Sequence, residues 1–256
     1  MRGAPYRTGE IIMAEIVRKT SNLNNPNQVG FLRAYYVDNK EVYTETLDQN
    51  LHIQKHTGKL PNGTVREYFA NGKVYFECVV QNSQRNGVCR IYFDNGKINI
   101  EKNYEYGMLQ GKVRIFQPTG KLYKEFSYVD DVQDGKQIKY YSDGKILETV
   151  EYKKGFMDGP CRVYTPEGDL RSECTYKNDK IVGDKIIYHP NGTVALVSPH
   201  KDGKPNGVTK KFDENGKLME EWFFEDGILT LKKTHWFARR AFKSLCAAGA
   251  RGFFWK

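Results

Sequence analysis

The sequence predicts an all-β fold: an elongated, single-layer antiparallel meander of about eight tandem 24-residue β-hairpin repeats, followed by a short C-terminal α-helix. Three observations lead to this prediction. Glycines recur every 24 residues, runs of β-prone residues lie between them, and aromatic residues make up 13% of the chain. Tyr and Phe favour the pleated surface of a sheet, and glycine supplies the positive φ angles that tight turns require.

Four columns of residues keep the 24-residue period over seven units. The units open at Gly63, Gly87, Gly111, Gly135, Gly159, Gly183 and Gly207. A second glycine follows nine residues later, at Gly72, Gly96, Gly120, Gly144, Gly168, Gly192 and Gly216. The fifth residue after each opening glycine is aromatic, and the eleventh is aliphatic. This regularity predicts one hairpin per unit.

Each unit has β-prone residues on both sides of a pair such as Asn-Gly, which predicts a hairpin with a two-residue type I′ turn. If the turn pair occupies the eighth and ninth positions after the opening glycine, two residues lie directly opposite each other when their offsets from that glycine sum to 17. The resulting pairs are Arg66/Glu77, Arg90/Glu101, Arg114/Glu125, Arg162/Glu173 and Lys210/Glu221. Where the cation is missing, the acid is missing too: the remaining pairs are Ile138/Thr149 and Ile186/Val197. Directly opposed residues are expected to vary together in this way.

The repeat array is expected to span residues 30–230. Residues 30–57 form a degraded first unit, and the regular units occupy residues 63–230. Residues 1–29 are expected to be partly extended or disordered, and translation could start at Met1 or at Met13. The chain has no apolar stretch near the roughly 18 residues that span a bilayer and no signal peptide, so we expect a cytoplasmic location.

Alternation along the strands separates two faces of the sheet. One face carries the Arg/Glu pairs and the aromatic column, whereas the other is mainly apolar, with residues such as Val65, Ile91, Val113, Phe126 and Trp222. About sixteen strands would give a sheet on the order of 75 Å long, which a short tail cannot cover. The apolar face is therefore expected to coil upon itself or to meet another protein, including a second copy in a homodimer.

The unit resembles the MORN-repeat variant family over roughly residues 58–230. The motif is a Gly, an aromatic residue five positions later, Asn-Gly-Lys with an aliphatic residue, a Glu, and a late Tyr such as Tyr104 or Tyr128. The resemblance implies a meander of hairpins that serves interaction or scaffolding, with antitoxin-like or immunity-like roles in many bacterial members. The sixth unit, with VALVSPHKDGKPNG, lacks the Glu and the late Tyr, which predicts irregular pairing near residues 197–205.

The face with the Arg/Glu pairs is the predicted site for another protein. Tyr and Arg are favoured at protein interfaces, and here they recur at even spacing. The residues expected to form this protein-binding face are Tyr68, Arg90, Tyr92, Arg114, Phe116, Tyr140, Arg162, Tyr164, Tyr188 and Phe212. The sequence thus predicts a non-enzymatic interaction module or scaffold.

The cysteine positions and the lack of catalytic motifs limit which disulfides, metal sites and enzyme activities the sequence can support. Cys161 and Cys174 are opposed in the register, and a symmetric turn between units would oppose Cys78 and Cys89. Either pair could form a disulfide, but a cytosolic setting favours packed free thiols. No cluster has zinc-ligand spacing, and no phosphate loop or nucleophile elbow occurs. We therefore expect no enzyme activity, no catalytic residue, no cofactor and no metal ion.

The net charge of +9 is concentrated in residues 231–256, a tail with seven Lys or Arg and no acid. The rest of the chain has interleaved charges, which disfavours nucleic acid as a partner. Thr234 is expected to cap a helix that ends at about Ala248. This helix covers the open end of the sheet, anchors the chain peripherally on an anionic membrane, or docks a partner protein or nucleic acid. Its expected contact residues are Trp236, Phe237, Arg239, Arg240, Lys243, Phe253, Phe254 and Trp255.

Overall fold

The computed structural model describes residues 14–22 and 30–235. These residues form 21 β-strands, and no helix occurs among them, so the predicted all-β class is confirmed. The chain divides into two compact units, Met1–Val132 and Gln133–Lys256.

The N-terminal unit is an open, mixed sheet. Its spatial order, given by the paired neighbours, is β4-β3-β2-β1-β5-β6-β7-β8-β9-β10 for the following strands. They are β1 (Ala14–Asn22), β2 (Gly30–Val37), β3 (Lys40–Asp48), β4 (Ile53–Gly58), β5 (Gly63–Tyr68), β6 (Val74–Gln81), β7 (Gln84–Tyr92), β8 (Ile98–Glu105), β9 (Met108–Phe116) and β10 (Leu122–Val129). The short strand β11 (Val132–Gln133) follows in sequence.

The C-terminal unit continues the antiparallel repeats, with consecutive strands paired from β12 to β17 and from β19 to β21. Its strands are β12 (Gly135–Tyr140), β13 (Ile146–Lys153), β14 (Phe156–Tyr164), β15 (Leu170–Lys177), β16 (Lys180–Tyr188), β17 (Val194–Lys201), β18 (Lys204–Pro205), β19 (Gly207–Phe212), β20 (Leu218–Glu225) and β21 (Ile228–Thr234). Pairing of β16 with β17 is regular, and the break between β18 and β19 has a counterpart between β11 and β12, so the predicted irregular pairing near residues 197–205 does not distinguish the sixth unit.

The cross-strand register is the one that the sequence predicts. All seven expected pairs, including Arg66 with Glu77 and Ile138 with Thr149, are direct partners. The turn type, however, is wrong. Phe69 N donates to Lys73 O at 2.8 Å and Gly72 N donates to Phe69 O at 2.9 Å, which leaves a three-residue loop. Gly72 has φ +79°, so this is a type I turn followed by a glycine bulge.

Two-residue turns do occur, but they join one repeat to the next. Asn82 and Ser83 have φ values of 52° and 62° and lie between the paired residues Gln81 and Gln84. Positive φ at both central positions is the signature of a type I′ turn. A third column of glycines at these turns is the sequence signal for them: Gly107, Gly155, Gly203 and Gly227.

Strand β1 is the element that departs most from a simple meander. It pairs with β2 in the antiparallel sense and with β5 in the parallel sense, with Ala14 opposite Gly63. The prediction that all strands pair in the antiparallel sense is therefore wrong for this unit. Ile16 of β1 is completely buried and packs in the core with residues of β2, β5, β6 and the loop before β5: Tyr35, Leu60, Val65 and Val80. Strand β1 thus supplies the centre of this core.

The predicted C-terminal helix lies on residues 236–256, outside the described ranges. Thr234, its expected cap, is the last residue of β21 and is paired with Glu220 of β20. The beginning of the basic tail is therefore part of the sheet. Within the described residues, no helix has the length and apolar character needed to cross a membrane.

Gly63→Ala is expected to displace β1 from β5. An added Cβ would clash with the backbone oxygen of Ala14 and lie 2.9 Å from its carbonyl carbon, and neither atom can rotate away. We expect a loss of about 1–3 kcal/mol in the free energy of unfolding and faster amide hydrogen exchange in β1. Gly96→Ala is the control, since its Cβ meets nothing within 4 Å although its φ is +82°. Unchanged exchange in β1 of the Gly63 variant would contradict this account.

Candidate functional site

Eight charged side chains of alternating sign cross one face of the N-terminal unit. The predicted register brings six of them together on β5 to β10, and two further residues join them from β1 and β9. We call this set the ladder and the face that carries it the ladder face. In spatial order the ladder consists of Glu15, Arg66, Glu77, Arg90, Glu101, Arg114, Glu125 and Lys112.

The first half of the ladder begins at β1. Arg66 Nη1 lies 3.0 Å from Glu15 Oε1, and Arg66 Nε lies 2.8 Å from Glu77 Oε2. Arg90 Nε donates to Glu101 Oε2 at 2.9 Å, and its Nη1 lies 4.0 Å from Glu77 Oε1. Each inner residue therefore has an oppositely charged neighbour on both sides.

The second half repeats this geometry. Arg114 Nη1 lies 3.2 Å from Glu101 Oε1, and Arg114 Nε donates to Glu125 Oε2 at 2.9 Å. Lys112 Nζ donates to the other oxygen of Glu125 and ends the ladder. The side chain of Glu125 is only 9% exposed, so its charge depends on these two cations more than on water.

The pKa values follow from this pairing. Burial raises the pKa of the Glu125 carboxyl, but the hydrogen bonds from Lys112 and Arg114 outweigh it and hold the pKa below its usual range. Hydrogen bonds to Glu77 and to Glu125 raise the pKa of Arg66 and Arg114, respectively, against the opposing effect of burial. Glu125, Arg66 and Arg114 are therefore ionised at neutral pH.

The aromatic column runs beside the ladder on the same face. Tyr68 is 39% exposed, and its hydroxyl donates to Glu15 Oε1 at 3.2 Å, the same oxygen that pairs with Arg66. Tyr92 and Phe116 are partly buried at the equivalent positions of the next two units. Of the predicted binding residues, the N-terminal unit thus brings together Tyr68, Arg90, Tyr92, Arg114 and Phe116.

The remaining predicted binding residues lie in the C-terminal unit, where the ladder is interrupted. Arg162 Nε donates to Glu173 Oε2 at 3.3 Å, and Tyr188 Oη donates to the other oxygen of Glu173 at 2.8 Å. The pair Ile186/Val197 follows, so no charge continues the row there. The other predicted residues of this unit, all partly buried, are Tyr140, Tyr164 and Phe212.

Two ladder members were not predicted. Lys112 could have been found from sequence, because it follows the opening Gly111 and is directly opposite Ser127, beside Glu125. Glu15 could not, because its place depends on the parallel pairing of β1 with β5. The sequence contains no local signal for that pairing.

The opposite, apolar face carries the cysteines. Cys78 and Cys89 are directly opposed with a Cα–Cα distance of 4.1 Å and form a disulfide, so the expectation of free thiols is wrong for this pair. Direct opposition alone does not decide the outcome, since Cys161 and Cys174 are also direct cross-strand partners. Cys161 and Cys174 are free, and burial followed by the neighbouring Cys174 raises the pKa of the Cys161 thiol to about 12.

No metal centre is formed within the described residues, where no group of three His, Cys, Asp or Glu side chains converges. His52 Nδ1 lies 3.3 Å from Asp48 Oδ2 at the turn after β3, and His56 lies on β4 opposite Glu45. Both histidines therefore belong to the β3–β4 hairpin.

The repeat geometry agrees with the match to known families. The family model described as MORN repeat variant matches six segments of the chain, which together cover more than half of its length. The chain belongs to the MORN repeat variant family. The matched segments are residues 61–82, 85–106, 109–130, 133–154, 157–178 and 205–226.

MORN repeat geometry extends beyond the matched segments. Residues 179–204 are not matched, yet β16 and β17 form a hairpin there with the same register as the other repeats. Backbone pairing therefore persists where the side-chain motif is lost.

Other comparisons add little to the family assignment. No curated protein matches the chain. A solved structure of the Photorhabdus luminescens Tc holotoxin pore aligns with 83% of this chain and 15% of its own, at 10% identity and a TM-score of 0.17. The chain thus spans a small part of that protein, and a likeness at this score carries no argument about fold or function.

Glu125→Gln is expected to destabilise the N-terminal unit in a pH-dependent way. The folded-state pKa of Glu125 is depressed, so its contribution is present above the unfolded value of about 4.5 and is lost as pH falls through the folded pKa. At pH 7 we expect a loss of about 1–3 kcal/mol in the free energy of unfolding. Urea unfolding at pH 7 and at successively lower pH measures this difference.

The matched control for this prediction is Glu105→Gln, which removes the same charge at an exposed position of β8. The control is expected to change stability by less than about 0.5 kcal/mol. If the deficit of the Glu125 variant stays constant down to pH 3, the ladder does not stabilise the fold electrostatically.

Proposed function

We propose that this MORN-repeat chain is a non-enzymatic interaction module or scaffold that binds another protein through the ladder face. Membership of the family supports a repeat protein for interaction. The observation that carries the proposal is the ladder itself, a continuous row of charges fixed in place beside exposed and partly buried aromatic rings. The partner is another protein. A second copy of this chain, bound through the apolar face to form a homodimer, is a further protein partner of this kind.

Fixed charges favour binding for an entropic reason. A flexible surface arginine loses side-chain freedom when a partner immobilises it, and each such loss weakens binding by about 0.5–1.5 kcal/mol. Arg66, Arg90 and Arg114 each contact two carboxylates already, so little freedom remains to be lost. Tyr68 and Tyr92 beside them provide amphipathic rings of the kind that dominate binding energy at interfaces.

The ladder gives no support to catalysis. Its carboxylates are already paired with cations, and the depressed pKa of Glu125 is unsuited to a general acid at neutral pH. Like residues recur along the sheet, whereas a catalytic site needs unlike groups that converge at one place. The proposal therefore assigns no catalytic residue and no cofactor.

An antitoxin or immunity role is a finer form of this proposal. It rests on the resemblance to bacterial members of the family and would require a toxic partner protein in the cytoplasm. Co-expression with the product of a neighbouring gene tests it directly: protection of the host cells supports the role, and continued toxicity contradicts it.

A membrane-associated scaffold is the second candidate, carried by the basic tail. Lys232 Nζ lies 3.1 Å from Glu220 Oε2, and Lys233 Nζ lies 4.8 Å from the centre of the Phe223 ring, so these two cations are engaged by the sheet. The cations that would remain for anionic lipid lie further along the chain: Arg239, Arg240, Lys243, Arg251 and Lys256. Each could add about 1 kcal/mol of attraction near an anionic surface.

The combined Tyr68→Ala and Tyr92→Ala variant is expected to lose its protein partner. Removing both rings takes away the largest apolar contacts beside the first half of the ladder, and we expect binding to weaken by at least about tenfold. Affinity purification from the native cell, followed by mass spectrometry, measures recovery of the partner. Tyr106→Ala is the control, since Tyr106 is 76% exposed but lies in the turn after β8. Equal recovery with both variants would remove the ladder face as the binding site.

Deletion of residues 236–256 distinguishes the membrane candidate. If the tail is an anchor, the full chain sediments with vesicles that contain anionic phosphatidylserine, the truncated chain stays in solution, and neither binds neutral phosphatidylcholine vesicles. Binding is also expected to weaken as salt is raised, because the attraction is electrostatic. Equal sedimentation of the two chains excludes the tail as the anchor.

A further inference from the structure

A cavity of about 370 Å³ lies on the apolar face of the N-terminal unit. Cations from β1, β2, β7 and β8 line it, and among the described residues no carboxylate does: the four are Arg18, Arg33, Arg85 and Lys102. Apolar side chains, including Ile91 and Ile100, complete the wall. A volume of this size is in the range of small-molecule sites. Cations in an apolar cavity are costly in free energy unless they are neutralised.

Arg18 already has a partner. Its Nε and Nη2 donate to Glu67 Oε2 at 2.9 and 2.6 Å, and its guanidinium lies 3.7 Å from the centre of the Phe76 ring. Only 7% of the surface of Arg18 is exposed, and the residue forms a structural ion pair with Glu67 at the cavity wall. It repels further cations without being free to bind an anion.

Arg33 is incompletely satisfied. Its Nε is buried and has no hydrogen-bond partner among the described residues. The nearest carboxylate, Glu45, lies 3.8 Å from Nη1 and already accepts a hydrogen bond from the Tyr35 hydroxyl at 2.9 Å. Burial, and then the neighbouring charge of Arg18, lowers the pKa of Arg33. A buried guanidinium donor without an acceptor is rare and indicates a place where an acceptor binds.

Arg85 and Lys102 add charge that no carboxylate among the described residues pairs with. Arg85 Nη1 donates to the Tyr104 hydroxyl at 3.1 Å, and its guanidinium lies 5.2 Å from the centre of that ring. Arg85 is exposed, whereas Lys102 is partly buried on β8. The cavity therefore combines an orphaned buried donor, two unneutralised cations and an apolar wall.

We propose that this cavity binds a small organic anion, whose carboxylate or phosphate oxygens accept hydrogen bonds from Arg33, Arg85 and Lys102 while its hydrocarbon part contacts Ile91 and Ile100. Arginine presents donors in a planar fork that suits both kinds of oxyanion. The site goes beyond the protein-binding role and lies on the other face of the sheet. Anion binding in the cavity and protein binding at the ladder face can therefore be tested separately, and disproving one leaves the other standing.

The test uses the full chain and a pair of fluorescent probes that differ in charge. Anilinonaphthalene sulfonate carries the anion, and N-phenyl-1-naphthylamine has the same rings without it. We expect one molecule of the sulfonate per chain, with at least about tenfold tighter binding than the neutral amine. Arg85→Gln and Lys102→Gln are each expected to weaken sulfonate binding by about tenfold or more, and Arg33→Gln is expected to do the same if it folds.

Arg171→Gln is the matched control, because it removes the same charge from an exposed position of β15 that does not line the cavity. Displacement of the probe by benzoate or by phenyl phosphate identifies the preferred oxyanion, and benzyl alcohol should displace nothing. The proposal is overturned if both probes bind equally, if the Arg85 and Lys102 variants bind as tightly as the Arg171 variant, or if neither anion displaces the sulfonate.

Discussion

The glycine bulge at the tip of each repeat hairpin fixes the cross-strand register within the repeat. At Gly72 a type I turn is followed by a left-handed residue, and the register shifts by one residue between Glu67 and Tyr68. This shift sets which residues of β5 and β6 are opposed, and hence which face each side chain occupies. A slip by one residue would move every arginine of the ladder to the apolar face. The register of Cys78 opposite Cys89 is set instead by the two-residue turn at Asn82 and Ser83, between β6 and β7.

Strand β1 connects this register to the core. Its parallel pairing with β5 requires a close approach that only glycine permits at position 63. The same pairing sends Ile16 into the core and Glu15 to the ladder face, because successive side chains of a strand point in opposite directions. One strand therefore closes the apolar cluster and begins the row of charges. Arg18, two residues after Ile16, extends the apolar-face side of β1 toward the cationic cavity.

The two faces of the N-terminal unit differ in the balance of cations and carboxylates. On the ladder face, cations and carboxylates alternate and neutralise one another, so the face offers fixed, paired charges and aromatic rings. On the apolar face, the three cations Arg33, Arg85 and Lys102 outnumber the nearby carboxylates, and the Nε of Arg33 has no acceptor in the part of the chain that the structure describes. A neutral, preorganised surface suits a protein partner, whereas a cavity with surplus positive charge suits an anion. A single sheet can therefore carry two recognition surfaces of different chemistry.

The sequence is sufficient to predict the all-β class, the 24-residue period and the opposition of Arg66 with Glu77, because a repeat displays the same cross-strand pair many times over. It did not distinguish the two turns, since Asn-Gly suits a type I′ turn and a bulged loop alike. Three features become visible only in the folded chain: the position of β1, the membership of Glu15 in the ladder and the cluster of cations around Arg33. These depend on contacts between residues distant in sequence, such as Ala14 and Gly63, and occur once in the chain, so no periodicity reveals them.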